Sequence, residues 1–247
     1  MTIAIAAAAA LLLASPGAGP AGTGVDPSGD PSRDPSSIER FRGVARSKDG
    51  AVAYLEVHEV RLSGGQVTSA ETRYTRADGR TIARLVSDYP PGSFAPDYEF
   101  QDLRTGALEA VRRAEDGIRL VDGDRAKVLS PSQGVPLVAG QGLDRYARAH
   151  LDALARGEVL RVSLALPGRL DTFGFQLRGE RIESGRIRVH FEPTSFFLRL
   201  LAPSLEGEYD PATRRLVRYV GMSNVAAEDG SPQQVEIAYS YPEPSSS

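Results

Sequence analysis

The chain has 247 residues, 29 basic and 32 acidic side chains, a formal charge of −3, and neither cysteine nor tryptophan. Without thiols there is no disulfide framework, no thiolate metal or iron–sulfur site, no cysteine nucleophile and no lipobox for N-terminal lipidation. Balanced charge leaves no electrostatic footprint for nucleic acid. Three dispersed histidines, His58, His150 and His190, do not suggest a multi-histidine metal centre. No metal or cofactor is therefore expected. Lys48 and Lys127 are the only lysines; this arginine bias, with abundant Ala, Gly and Pro, reads as GC-rich coding rather than as a row of anion contacts.

Residues 1–14 form an apolar run, MTIAIAAAAALLLA, too short to span a bilayer as a helix, which takes roughly 20 residues. Small residues and Pro follow, so residues 1–21 read as a signal peptide cut after Ala21, although its only N-terminal charge is the α-amino group. Residues 26–37 repeat Asp-Pro-Ser-x three times, which makes 22–37 a disordered linker. Residues 242–247 read as a frayed tail. What remains, 38–241, is long enough for a single β-rich domain that buries about 70% of its unfolded surface.

Period-two alternation dominates this body. In 51–62 the odd positions Ala53, Leu55 and Val57 are apolar and read as the core face; Tyr54, Glu56 and His58 read as the opposite, polar face. Turns at 63–65 and 77–79 separate this strand from 67–76 and 81–89; Asp78-Gly79 is the strongest hairpin signal. Another hairpin pairs 98–104 with 107–113, and Asp116-Gly117 and Asp122-Gly123 punctuate two shorter strands. Residues 131–141 read as a loop. In 142–156, Leu143, Tyr146, Ala147, His150, Leu151 and Leu154 form a core-facing helical stripe, with Leu151 central and Arg148 off it. Strands resume at 159–166, 173–177, 181–192, 205–209, 216–222 and 235–241. A short helix is expected at 194–201. The expected fold is mainly β: a large curved antiparallel sheet or half-barrel of about a dozen strands. The long helix (142–156) and the short one (194–201) pack on its concave face.

Candidate sites are few. Glu56 and His58 lie two apart on one strand beside Tyr54, the start of a general base or a polar outer face with a cross-strand hydrogen bond. His190 and Glu192 repeat the spacing with Arg186 and Arg188 in line, either an anion-binding strip or a solvated face. His150 reads as a boundary histidine. Residues 196–201, Phe-Phe-Leu-Arg-Leu-Leu, are the most apolar stretch of the body, a lid over a greasy cavity, a membrane-touching segment or a plug. Phe173, Phe175, Phe196, Phe197 and Leu200 are accordingly the candidate ligand-binding residues. No catalytic motif of the hydrolase, zinc-protease or phosphate-loop kind is present.

Tyr54-Leu55-Glu56-Val57-His58, Arg169-Leu170-Asp171-Thr172-Phe173-Gly174-Phe175, Leu200-Leu201-Ala202-Pro203, Tyr209-Asp210 with Thr213-Arg214-Arg215-Leu216, and Gly221-Met222-Ser223-Asn224 occur in an order that resembles a family of uncharacterised exported proteins of Gram-negative bacteria, over roughly residues 40–241. That resemblance implies a periplasmic or secreted location and no assigned activity. In architecture alone the layout is similar to the lipoprotein-localisation carriers, which hold acyl chains in a half-barrel. The expectation is a non-enzymatic binder of a lipid or other apolar ligand. The alternatives are an envelope interaction or assembly factor whose cavity its own helix fills, and a hydrolase-like enzyme using Glu56 and His58.

Overall fold

The computed structural model describes residues 36–130, 133–195 and 205–242. Eight strands meander from the N-terminal side: β1 (Ser37–Arg46), β2 (Val52–Ser63), β3 (Gln66–Thr75), β4 (Thr81–Asp88), β5 (Asp97–Asp102), β6 (Leu108–Ala114), β7 (Gly117–Asp122) and β8 (Arg125–Leu129). After β9 (Leu137–Ala139) come two helices, α1 (Gly142–Ala149) and α2 (Leu151–Ala155). Then follow β10 (Val159–Leu166), a 3-10 turn (Pro167–Arg169), β11 (Asp171–Arg181), β12 (Ile187–Pro193), β13 (Leu205–Tyr209), β14 (Leu216–Met222) and β15 (Gln234–Ser240). All fifteen join one curved, unclosed sheet in the order β8-β7-β6-β5-β4-β3-β2-β1-β15-β14-β13-β12-β11-β10-β9. Every neighbour is antiparallel except β9 with β10.

The strand count exceeds the expected dozen chiefly because β1 and β9 carry weak sequence signals. β1 buries Phe41, Gly43 and Ala45, two of them small. Gly43 is small of necessity: a β-carbon there would meet the Tyr239 ring at 2.9 Å and the Glu56 carboxylate at 3.0 Å. β1 nonetheless occupies the middle of the sheet, paired with β2 on one side and β15 on the other.

Contacts across the interior show how far the sheet curls. Gln141 bonds Thr72 on β3, while Asp144, one helical turn on, bonds Tyr209 on β13. Those strands stand five apart, about 24 Å in a flat sheet. The helices therefore lie inside the curl, on the concave face, as expected. α2 packs on β11, where a β-carbon on Gly179 would meet the Leu154 carbonyl at 2.6 Å. The expected single helix is interrupted at His150, whose backbone (φ −111°, ψ 18°) leaves the helical region while its Nδ1 lies 2.8 Å from the Tyr146 carbonyl oxygen. The stripe persists across the break: Leu143, Tyr146, Ala147, Leu151 and Leu154 are buried.

Alternating connections put the turns at two ends. One end holds the β2–β3, β4–β5, β11–β12 and β13–β14 connections, and the helices fill it. The other, here the mouth, holds the β1–β2, β3–β4, β5–β6, β7–β8 and β14–β15 connections and the 3-10 turn. At the mouth the 3-10 turn reaches across the unclosed seam and packs on β6 and β7. The helix expected at 194–201 falls largely outside the described residues; within them, Thr194 donates its hydroxyl to the Gly174 carbonyl, 3.1 Å away.

Candidate functional site

The first candidate pair sits where the sequence does not put it. Tyr54, Glu56 and His58 are each 1% exposed and point into the core, whereas Leu55 and Val57 are half-buried on the outer face; Ala53, at a break in register with β1, is half-buried against the core. The inversion follows from the partners. Phe41 stacks on the His58 ring at 4.2 Å, and Tyr74 meets Tyr54 edge-on at 5.7 Å. Val60 and Leu62, in phase with His58, are buried too, so the far half of the same strand carries the correct signal.

Inside, the polar groups form one directional chain. The Tyr89 hydroxyl donates to Gln141 Oε1 (3.0 Å), and Gln141 Nε2 donates to Thr72 Oγ1 (3.1 Å). Thr72 Oγ1 lies 2.8 Å from His58 Nδ1, and His58 Nε2 lies 2.9 Å from Glu56 Oε2. Gln141 donates to Thr72, whose hydroxyl is free to donate in turn to Nδ1; in that tautomer Nε2–H bonds the carboxylate. A hydroxyl, an imidazole and a carboxylate in line have the parts of a nucleophilic relay. Yet Thr72 is 0% exposed, and no substrate atom reaches its oxygen. The chain instead fastens the start of α1 to β2 and β3. Around Glu56, burial and then its negative charge push the hydroxyls of Tyr54, Tyr74, Tyr219 and Tyr239 well above the ordinary phenol range.

The second pair does not form an open anion strip. Arg186 and Arg188 converge on Glu208, at 3.4 and 3.0 Å, and Arg218 joins them at 3.1 Å. His190 lies 3.4 Å from both Glu180 and Glu206, and Glu192 accepts from Gln176 at 2.9 Å. The protein's own carboxylates take up this strip of cations. With Arg40–Glu59, Arg84–Glu71 and Arg113–Asp97 on the other half, the outer face is a cross-strand ladder of opposite charges. It suits water and is the reverse of the apolar band that a membrane-spanning barrel turns outward. No helix among the described residues is long and apolar enough to cross a membrane.

Of the candidate ligand residues, Phe175 is sealed in the core at 1% exposure and Phe173 is half-buried against it. Phe196, Phe197 and Leu200 lie outside the described residues.

Sequence reasoning missed the mouth. The β14–β15 connection, 223–233, runs across it like a strap. Ser223 Oγ lies 2.8 Å from the Tyr54 hydroxyl, and Val225 inserts at 1% exposure. The Ala226 carbonyl accepts from Arg104 on the β5–β6 turn (3.1 Å), and Glu228 pairs with Arg76 beyond β3. From β14 to the β5–β6 turn is about six strand spacings, so the strap spans the opening rather than following the rim. Beneath it, Leu85, Tyr98, Phe100, Ala165, Leu166, Glu109 and Asn224 enclose a cavity of about 30 Å³. Burial, and then the charge of Asp122, raise the Glu109 carboxyl to about 7 despite a hydrogen bond from the Gly168 N–H. The sequence cues to the strap are Gly221-Met222-Ser223-Asn224, which belongs to the family resemblance, and the Asp229-Gly230 turn signal; neither shows where the connection runs.

No protein-family model and no curated protein matches the chain. Two solved structures are similar to it. One is described as an outer membrane lipoprotein-sorting protein domain from Vibrio parahaemolyticus (9% identity, 85% of this chain and 86% of that one, TM-score 0.28). The other is a DUF1329 family protein from Desulfovibrio piger (11% identity, 85% of each chain, TM-score 0.28). At that TM-score neither likeness carries an argument about this chain.

Proposed function

We propose that this is an exported, non-enzymatic binding protein that takes up a lipid or other apolar ligand through the strap-covered mouth. The observation that carries the reading is the makeup of the mouth. Apolar walls from β4, β5 and β10 face each other across a seam the sheet leaves unzipped, under a connection held by the inserted Val225, the Ser223–Tyr54 and Arg104–Ala226 hydrogen bonds and one partly exposed ion pair. A cavity of about 30 Å³ holds no ligand of useful size, since small-molecule sites run roughly 300–1,000 Å³. Loading therefore requires the strap to lift. The same small volume favours a second reading, an envelope interaction factor whose interior is filled by its own helices. Titration with a dansylated undecyl probe separates the two. If the mouth is the entrance, Val225→Ala, which loosens the strap, raises probe affinity about fivefold to tenfold, while the outer-face variant Arg188→Ala leaves it unchanged. Absence of probe binding to both the parent chain and Val225→Ala supports the self-filled reading.

A further inference from the structure

The strap's ion pair lies in a groove with a chemistry of its own. Two depressions, of about 460 and 490 Å³, flank the contact between strap and rim and share Arg76, Ile82, Arg104, Ala226, Ala227 and Glu228. Arg80 stands in the first of them, exposed. Three arginines thus line one groove. Arg104 is fixed: its side chain is 17% exposed, Asp102 holds it at 2.6 Å, and it donates to the Ala226 carbonyl. Arg76 is held differently. Its partner Glu228 is 69% exposed and sits on the strap, and the buried Arg76 Nε has no hydrogen-bond partner.

We propose that Arg76, Arg80 and Arg104 form a binding site for the anionic headgroup of an amphiphile, and that Glu228 occupies it as an internal stand-in until the ligand arrives. The proposal rests on the reading of the mouth as the entrance for an apolar ligand, and it names the ligand's other half. With Glu228 in place, three cations face two carboxylates, Glu228 and Asp102. When Glu228 swings out, the groove is left with two uncompensated positive charges and an open guanidinium fork, which takes a carboxylate or phosphate through two parallel hydrogen bonds. The exchange costs little, because an ion pair with one partner this exposed is weak. It also couples the two halves of the ligand: the headgroup takes Arg76 from Glu228, the strap loses its outer anchor, and the alkyl chain gains the apolar walls under Val225.

The test compares two probes on the full chain: 11-(dansylamino)undecanoate and its uncharged methyl ester. The parent chain should prefer the acid by about tenfold. Arg76→Gln and Glu228→Gln both break the latch, so a merely mechanical latch would move both variants the same way with an unchanged acid-to-ester ratio. An anion site moves the ratio in opposite directions: up in Glu228→Gln, where Arg76 is freed, and down towards unity in Arg76→Gln. Equal binding of acid and ester in all three proteins overturns the headgroup site and leaves the apolar entrance standing. If neither probe binds any variant, the entrance falls and the headgroup site with it. Inorganic phosphate alone should compete only weakly, and with the acid only; phosphate binding as tightly as the acid would make the ligand a free anion and overturn the amphiphile.

Discussion

Arg148 and Asp144 meet at 2.8 Å with 4% and 0% of their side chains exposed. Burial pushes the Asp144 carboxyl above its ordinary range, against the pull of Arg148 and of the Tyr209 hydroxyl that donates to it. A pair this deep is costly to break: Arg148→Ala should lower stability by about 3–5 kcal/mol in urea titrations, and Asp144→Leu combined with Arg148→Met should recover most of it. The sequence reading puts Arg148 off the core-facing stripe; the structure buries it. Asp144, one turn earlier on the same helix, is a partner that the apolar stripe ignores, and the Tyr209 hydroxyl that holds Asp144 comes from β13. Glu109 gives a pH signature. Its carboxyl is raised to about 7 in the folded protein from an ordinary 4.5, so the folded state holds this proton more tightly than the unfolded chain. The stabilisation is complete below pH about 4.5 and is lost as pH rises through about 7, by at most about 3 kcal/mol. Glu109→Gln should flatten that slope and leave the protein more stable than the parent at pH 8, as read by melting temperature against pH.

At the scale of elements, one glycine sets how closely helix and sheet approach. A β-carbon on Gly179 would lie 2.6 Å from the Leu154 backbone oxygen, which no rotamer change relieves. Gly179→Ala should cost about 1–3 kcal/mol by forcing α2 off β11, whereas Gly185→Ala, in an open turn, should cost less than that and only through its positive φ of 80°. Thermal unfolding of the two variants checks the contrast. The elements themselves were mostly legible: β12 alternates, burying Ile187, Val189 and Phe191, and β10 lies where its apolar run predicts, although from Val162 on it buries both faces, Ser163 and Ala165 included. β2 was not, because both of its faces carry apolar residues and its first half misleads. Which face is buried depends on Phe41 and Tyr74, supplied by the flanking strands.

For the whole molecule, the N-terminal strand is the central one. β1 joins two arms of seven strands each, and its loss would expose two long edges at once. Val44→Pro, placed where β1 pairs with Leu55 and Ala238, should abolish cooperative folding or cost more than about 3 kcal/mol, with both arms melting together in calorimetry. Survival of one arm as a separate transition would show that the arms fold independently.

The sequence by itself determined the β-rich class, the curved sheet with its inner helix, and most strand positions, because these follow from local periodicity and turn chemistry that neighbouring residues share. Tertiary structure alone decided the face of β2, the burial of Arg148, the pairing of the outer charges and the existence of the mouth. Each of these depends on residues far apart in the chain, such as Arg76 with Glu228 and Tyr54 with Ser223, brought together only when fifteen strands curl around one helical pair.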